Sequence, residues 1–271
     1  MNKNISYRSG ELLKKLNSVN KLFFTIEDAQ KILQNNEQLA IRKLLSDMTK
    51  RGLIMRLKDG LYNIIPYEIN SEYFPNWHLV ADNLVQNEKY YIGFYSALDI
   101  HGLLTQPSLI EFIVSKKQFI PKKQLIKNIR FEYIKYNDQH FFGFEKTWID
   151  NFNKVWCSDL EKTIIDCLYK PQYSSGITEI VKAIYKSKNK LDSNKMKLYL
   201  DKFNAQVVLK RLGFILENFS EFDNLLEYIQ NKISDSYTYL DPSFPKQGKS
   251  YSRWKIIDNV NIAESINSLS T

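Results

Sequence analysis

TIEDAQKILQNNEQLAIRKLLSDMTKRGLIMRLKDGLYNIIP, running from Thr25 to Pro66, is the stretch on which the fold turns. Thr25 is a good N-cap, and Asp28 three residues on completes a start of the capping-box kind. Ile26, Ala29, Ile32 and Leu33 then share one face of a short helix. Gln34-Asn35-Asn36 ends it, because asparagine tolerates left-handed backbone. A second helix is predicted from Glu37 to Arg51, with Ala40, Ile41, Leu44, Leu45 and Met48 as its buried stripe. Gly52 stands where a helix C-terminus commonly needs positive φ. Two short apolar runs follow, Leu53 to Leu57 and Leu61 to Ile65, separated by Lys58-Asp59-Gly60. An Asp-Gly step between such runs is a strong hairpin signal, both turn positions favouring positive φ. Helix, turn, helix, glycine, hairpin is the order of a winged helix-turn-helix.

Working outward, Leu12, Leu13 and Leu16 give the preceding segment a helical face, and Leu22-Phe23-Phe24 reads as a strand or packed connector. The charge is uneven. Residues 1–66 hold 12 of the 38 Lys and Arg but 6 of the 30 Asp and Glu, a net +6, which leaves +2 for the rest of the chain. That imbalance points to a polyanion partner at the N-terminal end. Asn36, Gln38 and Arg42 fall near the N-terminal half of the second helix, the part that enters a major groove, and these side-chain types can bond adenine or guanine edges. Lys43, Lys50, Arg56 and Lys58 would hold phosphates and set position without reading sequence.

The remaining residues, 67–271, read as a larger mixed domain. Tyr67 to Tyr73 is a linker, followed by a helix at 76–86 and by short strands and helices with no regular β-α-β rhythm. An α+β arrangement therefore fits better than a parallel doubly wound sheet. From Ser158 the pattern turns helical, with late strands expected near Tyr237–Leu240 and Trp254–Ile257. Lys162 and Asp166 have the i, i+4 spacing of a surface ion pair, while Asp159 and Glu161 suit the first turn of a helix. The loop from Pro245 to Lys255 interleaves Lys246, Lys249, Arg253 and Lys255 with Tyr251 and Trp254, a candidate second polyanion contact through stacking. From Asn259 onward the chain is polar and expected to fray.

Enzyme signatures are missing from the sequence. His78, His101 and His140 lie far apart without metal-ligand spacing, and no Walker A, GxGxxG or GxSxG motif occurs. His101-Gly102 reads as a helix end with its glycine cap. Cys157 and Cys167 read as buried free thiols in a reducing cytoplasm. No apolar run approaches the length of a membrane span, and the polar N-terminus carries no secretory signal. No catalytic residue, metal or cofactor is expected.

The run Ile41 to Tyr62 resembles the start of AbiEi-type antitoxins, the transcriptional-regulator halves of abortive-infection toxin–antitoxin pairs. The likeness continues through Tyr95-Ser96-Ala97-Leu98, His101-Gly102-Leu103 and Phe142-Gly143. It goes on through Ser158-Asp159-Leu160-Glu161-Lys162-Thr163-Ile164-Ile165-Asp166-Cys167-Leu168, Leu240-Asp241-Pro242-Ser243 and Arg253-Trp254. Leu160 departs from it, standing where the family has proline. The resemblance implies a cytoplasmic protein that binds inverted repeats in its own promoter and represses the operon. It further implies a partner toxin resembling nucleotidyltransferases, opposed by the C-terminal domain, indirectly and without a stable complex in the best-known members and by phosphorylation in some relatives. The alternatives are therefore a kinase-like enzyme, or a winged-helix regulator unrelated to any toxin.

Overall fold

The computed structural model describes residues 5–35, 37–68, 73–86, 88–104, 106, 108–219, 221–262 and 266. The chain forms an α+β protein of two compact units that divide between Gln86 and Asn87.

The first unit opens with α1 (Tyr7–Ser18), whose Leu12 and Leu16 are buried as their spacing requires. Strand β1 (Phe23–Thr25) leads into α2 (Ile26–Leu33) through the expected capping box. Thr25 Oγ1 accepts from the Asp28 N–H at 3.2 Å, and Asp28 Oδ2 accepts from the Thr25 N–H at 2.9 Å. Gln34, in left-handed backbone, ends α2. Helix α3 (Gln38–Lys50) follows, and Gly52 takes φ +71 just beyond it.

Strands β2 (Ile54–Lys58) and β3 (Leu61–Ile64) make the hairpin, and β1 pairs with β3 to give a sheet of order β1-β3-β2. One detail departs from the sequence reading. Gly60 adopts φ +76 but Asp59 stays at negative φ, because the register shifts between Arg56 and Lys58. The bulge supplies the extra twist that a second left-handed residue would otherwise give. The Gly60 carbonyl accepts the Ile26 N–H at 3.2 Å, which ties the hairpin tip to the start of α2. Phe24, Ile26, Ile41, Leu45, Met48 and Tyr62 form the centre of this unit's core.

The unit does not stop at Pro66. Helix α4 (Trp77–Val85) packs on β2, with Val80, Ala81, Leu84 and Val85 buried. The sequence boundary fell early because Pro66 and the polar residues after it look like a linker, whereas the apolar face of α4 completes the N-terminal unit. Residues 1–86 then carry the same 12 cations against 9 anions, a net +3, while residues 87–271 carry 26 against 21, a net +5. The concentration of positive charge read from the sequence thus depends on the boundary at 66. The positions of the cations, not their number, distinguish the first unit.

In the second unit, β4 (Tyr90–Ile92), α5 (Phe94–Ile100), β5 (Ile110–Ser115), β6 (Lys123–Ile126), β7 (Ile129–Lys135), β8 (Phe144–Trp148) and β9 (Lys154–Ser158) come first. They build a mixed sheet of order β6-β7-β5-β4-β9-β8, parallel at β5/β7 and β4/β9. Helices α6 (Leu160–Tyr169), α7 (Ile177–Ser187), α8 (Ser193–Phe203), α9 (Gln206–Leu216) and α10 (Asp223–Gln230) follow. Helix α6 is the hub: it touches α5, α7, α8 and α9, and Glu161 through Leu168 are all buried. A small sheet of β10 (Thr238–Tyr239), β12 (Ile256–Asp258) and β11 (Lys249–Tyr251) closes the unit. Ile262 is buried on the core and its N–H is accepted by Asp258 Oδ2, so fraying does not begin at Asn259. Among the described residues no helix is long and apolar enough to cross a membrane.

Candidate nucleic-acid interface

Burial of Ile41, Leu45 and Met48 fixes the roll of α3 and turns the opposite side to solvent. Gln38, Leu39, Arg42, Lys43, Ser46 and Lys50 are all exposed. Positions 39, 43, 46 and 50 lie along one stripe at helical spacing, with Arg42 beside it. Lys43 and Lys50 make no ion pair among the described residues. The sequence reading had Gln38, Arg42, Lys43 and Lys50 but missed Leu39, which is 84% exposed near the centre of the face. Its helical phase relative to Lys43 and Ser46 was the available signal. An apolar side chain there can meet a thymine methyl group. Asn36 lies outside the described residues.

The hairpin tip is joined to this face by charge. Arg56 Nη2 donates to Asp59 Oδ1 at 2.5 Å, and Arg42 Nη1 stands 3.6 Å from the same oxygen. Asp59 therefore holds one guanidinium from α3 and one from β2 side by side at an exposed edge. Both arginines stay half-exposed, at 44% and 54% of their side-chain surface. Such a cluster can exchange its carboxylate partner for phosphate oxygens, which guanidinium groups bind bidentately.

Lys58 does not belong to it. Its Nζ donates to the Leu84 carbonyl at 2.7 Å, at the C-terminal end of α4, and partial burial lowers its pKa. The helix terminus offers an unpaired carbonyl with partial negative charge, so the lysine is already used. Lys58 is a structural tie between the hairpin and α4 rather than a phosphate contact.

The candidate second contact is also changed by the structure. Trp254 is fully buried, donating its indole N–H to Glu217 Oε2 at 2.6 Å, and its ring fills the space above Gly213, where a Cβ would stand 2.2 Å away. Arg253 pairs with Glu217 and Lys255 with Asp235. Only Lys246 and Lys249 stay exposed and outside any ion pair among the described residues, and Tyr251 packs on Phe214. Spacing alone could not separate a core tryptophan from a stacking one. The segment fastens the small sheet to α9, and Trp254 is not available for stacking.

Elsewhere the residues singled out by sequence turn out to be fastenings. Lys162 and Asp166 are wholly buried, not a surface pair. Lys162 Nζ donates to Asp166 Oδ1 and to the Tyr91 hydroxyl at 2.9 Å, and that hydroxyl donates to Asp166 Oδ2 at 2.9 Å. The Tyr91, Tyr136, Phe142 and Phe203 rings stand 5.1 to 5.4 Å from the ammonium. Burial lowers the lysine's pKa and raises the aspartate's. Asp159 caps α6, accepting from the Lys162 N–H at 3.0 Å, and also takes the Tyr199 hydroxyl at 2.7 Å. Glu161 accepts the Asp192 N–H at 3.0 Å ahead of α8. His101 ends α5 as expected, with Nε2 2.8 Å from the Ser158 carbonyl, and burial lowers its pKa. Since a carbonyl can only accept, the ring carries its proton on Nε2. His140 stacks on Phe203 at 4.0 Å, and Cys157 and Cys167 are buried and unbridged.

No protein-family model matches this sequence, and no curated protein does. Among solved structures, the crystal structure of the RV2827C protein from Mycobacterium tuberculosis is similar with a TM-score of 0.73 at 12% sequence identity. The match covers 99% of this chain and 96% of that one. At that identity the likeness is one of fold.

Proposed function

We propose that the chain is a repressor that binds duplex DNA, its first unit a winged helix-turn-helix with α3 as the reading helix and β2–β3 as the wing. The observation that carries this reading is the outward side of α3. Six exposed residues there combine an amide, an aliphatic side chain, a hydroxyl and three cations, with Arg56 drawn alongside by Asp59. A helix face that served only solubility has no need of a guanidinium pair organised across two elements. Direct readout falls to Gln38, Leu39 and Arg42, while Lys43, Lys50 and Arg56 hold phosphates.

The resemblance to AbiEi-type antitoxins extends the proposal. On that reading the protein is not an enzyme; it acts in the cytoplasm, represses its own operon at inverted repeats, and opposes a nucleotidyltransferase-like toxin through its second unit. Inverted repeats call for two copies of α3, one per half-site. The test is Arg42→Ala combined with Lys43→Ala in the full chain. Affinity for duplex from upstream of its own operon should fall about 10- to 100-fold, and the salt dependence should flatten by about one phosphate contact, that of Lys43. Growth rescue from the toxin should persist. Loss of both activities in a folded variant would end the assignment of the two roles to separate units.

A further inference from the structure

The β8–β9 hairpin forms one edge of the large sheet and shows an uneven pair of faces. On its inner face, Val155 and Cys157 are buried. On its outer face, the register sets Lys146 opposite Trp156 and Trp148 opposite Lys154. Side chains alternate along a strand, so these four share one side. Trp148 is 58% exposed and Trp156 37%, and Phe152 at the tip is 88% exposed. Lys154 Nζ lies 4.3 Å from the centre of the Trp148 ring, and Lys146 Nζ 5.2 Å from that of Trp156. The Phe144 ring meets Trp156 edge-on at 5.8 Å and fixes its tilt.

Neither lysine is paired with a carboxylate among the described residues. Glu145 belongs to the opposite face by alternation, and Asp150 is engaged within the turn, accepting from the Phe152 and Asn153 N–H groups at 2.8 Å each. The hairpin therefore displays two flat rings, each with an uncompensated cation over it.

We propose that this hairpin binds single-stranded nucleic acid, with bases stacking on Trp148 and Trp156 and phosphates held by Lys146 and Lys154. Exposed aromatics interleaved with cations are the means by which proteins hold single strands without reading sequence. The two rings are diagonal neighbours across the strand pair, roughly 7–8 Å apart at the backbone, within the reach of successive unstacked bases. Duplex DNA hides its base faces and offers the rings nothing. A protein partner fits less well, because interface centres are depleted of lysine and these rings carry one each. The proposal is independent of the α3 reading, which concerns duplex.

The experiment is fluorescence anisotropy of full-length protein with labelled oligouridylate and oligothymidylate, about twelve nucleotides each, the length a single-strand platform typically covers. Saturable binding of at least one is expected, and the two probes separate RNA from DNA. Trp148→Ala with Trp156→Ala should weaken it by at least about 30-fold, the floor for losing two stacked bases. Trp148→Phe with Trp156→Phe should retain most of the affinity. Lys146→Gln with Lys154→Gln, which leaves the rings in place, should weaken binding and flatten its salt dependence. Arg42→Ala with Lys43→Ala should leave it unchanged. Absence of binding to both oligomers, or equal affinity in the alanine double variant and the parent, would overturn the proposal.

Discussion

At the scale of single residues, Lys162 and Asp166 show what i, i+4 spacing does and does not reveal. The spacing says the two side chains meet, and they do; it is silent on whether the meeting happens in water. Burial of both ends inside a ring of four aromatics makes the pair costly to break. Lys162→Ala should destabilise the second unit by about 3–5 kcal/mol, because it leaves an uncompensated buried carboxylate. Lys162→Met combined with Asp166→Leu should cost far less, since it removes both charges and keeps the volume. Denaturant melts of the three proteins measure this directly. A single variant as stable as the double would mean that water reaches Asp166.

Among elements, the helices were the most legible. The capping box at Thr25 and the buried stripe of α3 follow from local chemistry that the sequence carries at close range. Strand β6 and edge strand β8 escaped, since their exposed residues break the alternation that marks a strand. The candidate interface was legible in part for a related reason. Helical phase placed Arg42, Lys43 and Lys50, but the use of Lys58 by α4 and of Arg253 by Glu217 depends on contacts 26 and 36 residues away. Coupling between α3 and the hairpin through Asp59 is likewise invisible until the elements are folded together. Asp59→Asn preserves the turn and releases Arg42 and Arg56 from their shared carboxylate. Affinity for duplex DNA at about 0.15 M salt should rise several-fold and the salt slope should steepen by up to about one phosphate contact, that of Arg56. A fall in affinity would show that Asp59 positions the arginines instead of competing with DNA for them.

For the whole molecule, the placement of α4 is the finding with most consequence. The first unit extends through Gln86, so a fragment of residues 1–86 should fold cooperatively and bind duplex DNA. A fragment of residues 1–66 should be far less stable, having lost the Lys58 tie and the buried face of Val80, Ala81, Leu84 and Val85. Thermal melts of the two fragments followed by circular dichroism decide it, and equal melting would return the boundary to Pro66. The central claim, that α3 reads a DNA sequence, has its most direct test in an anisotropy titration of the unaltered full chain. The probes are duplex from immediately upstream of its own operon and a scrambled duplex of the same composition, each at several salt concentrations. A preference of at least about 10³ for the upstream duplex is expected, with both affinities falling steeply as salt rises. Equal affinity for the two duplexes at every salt concentration would contradict it.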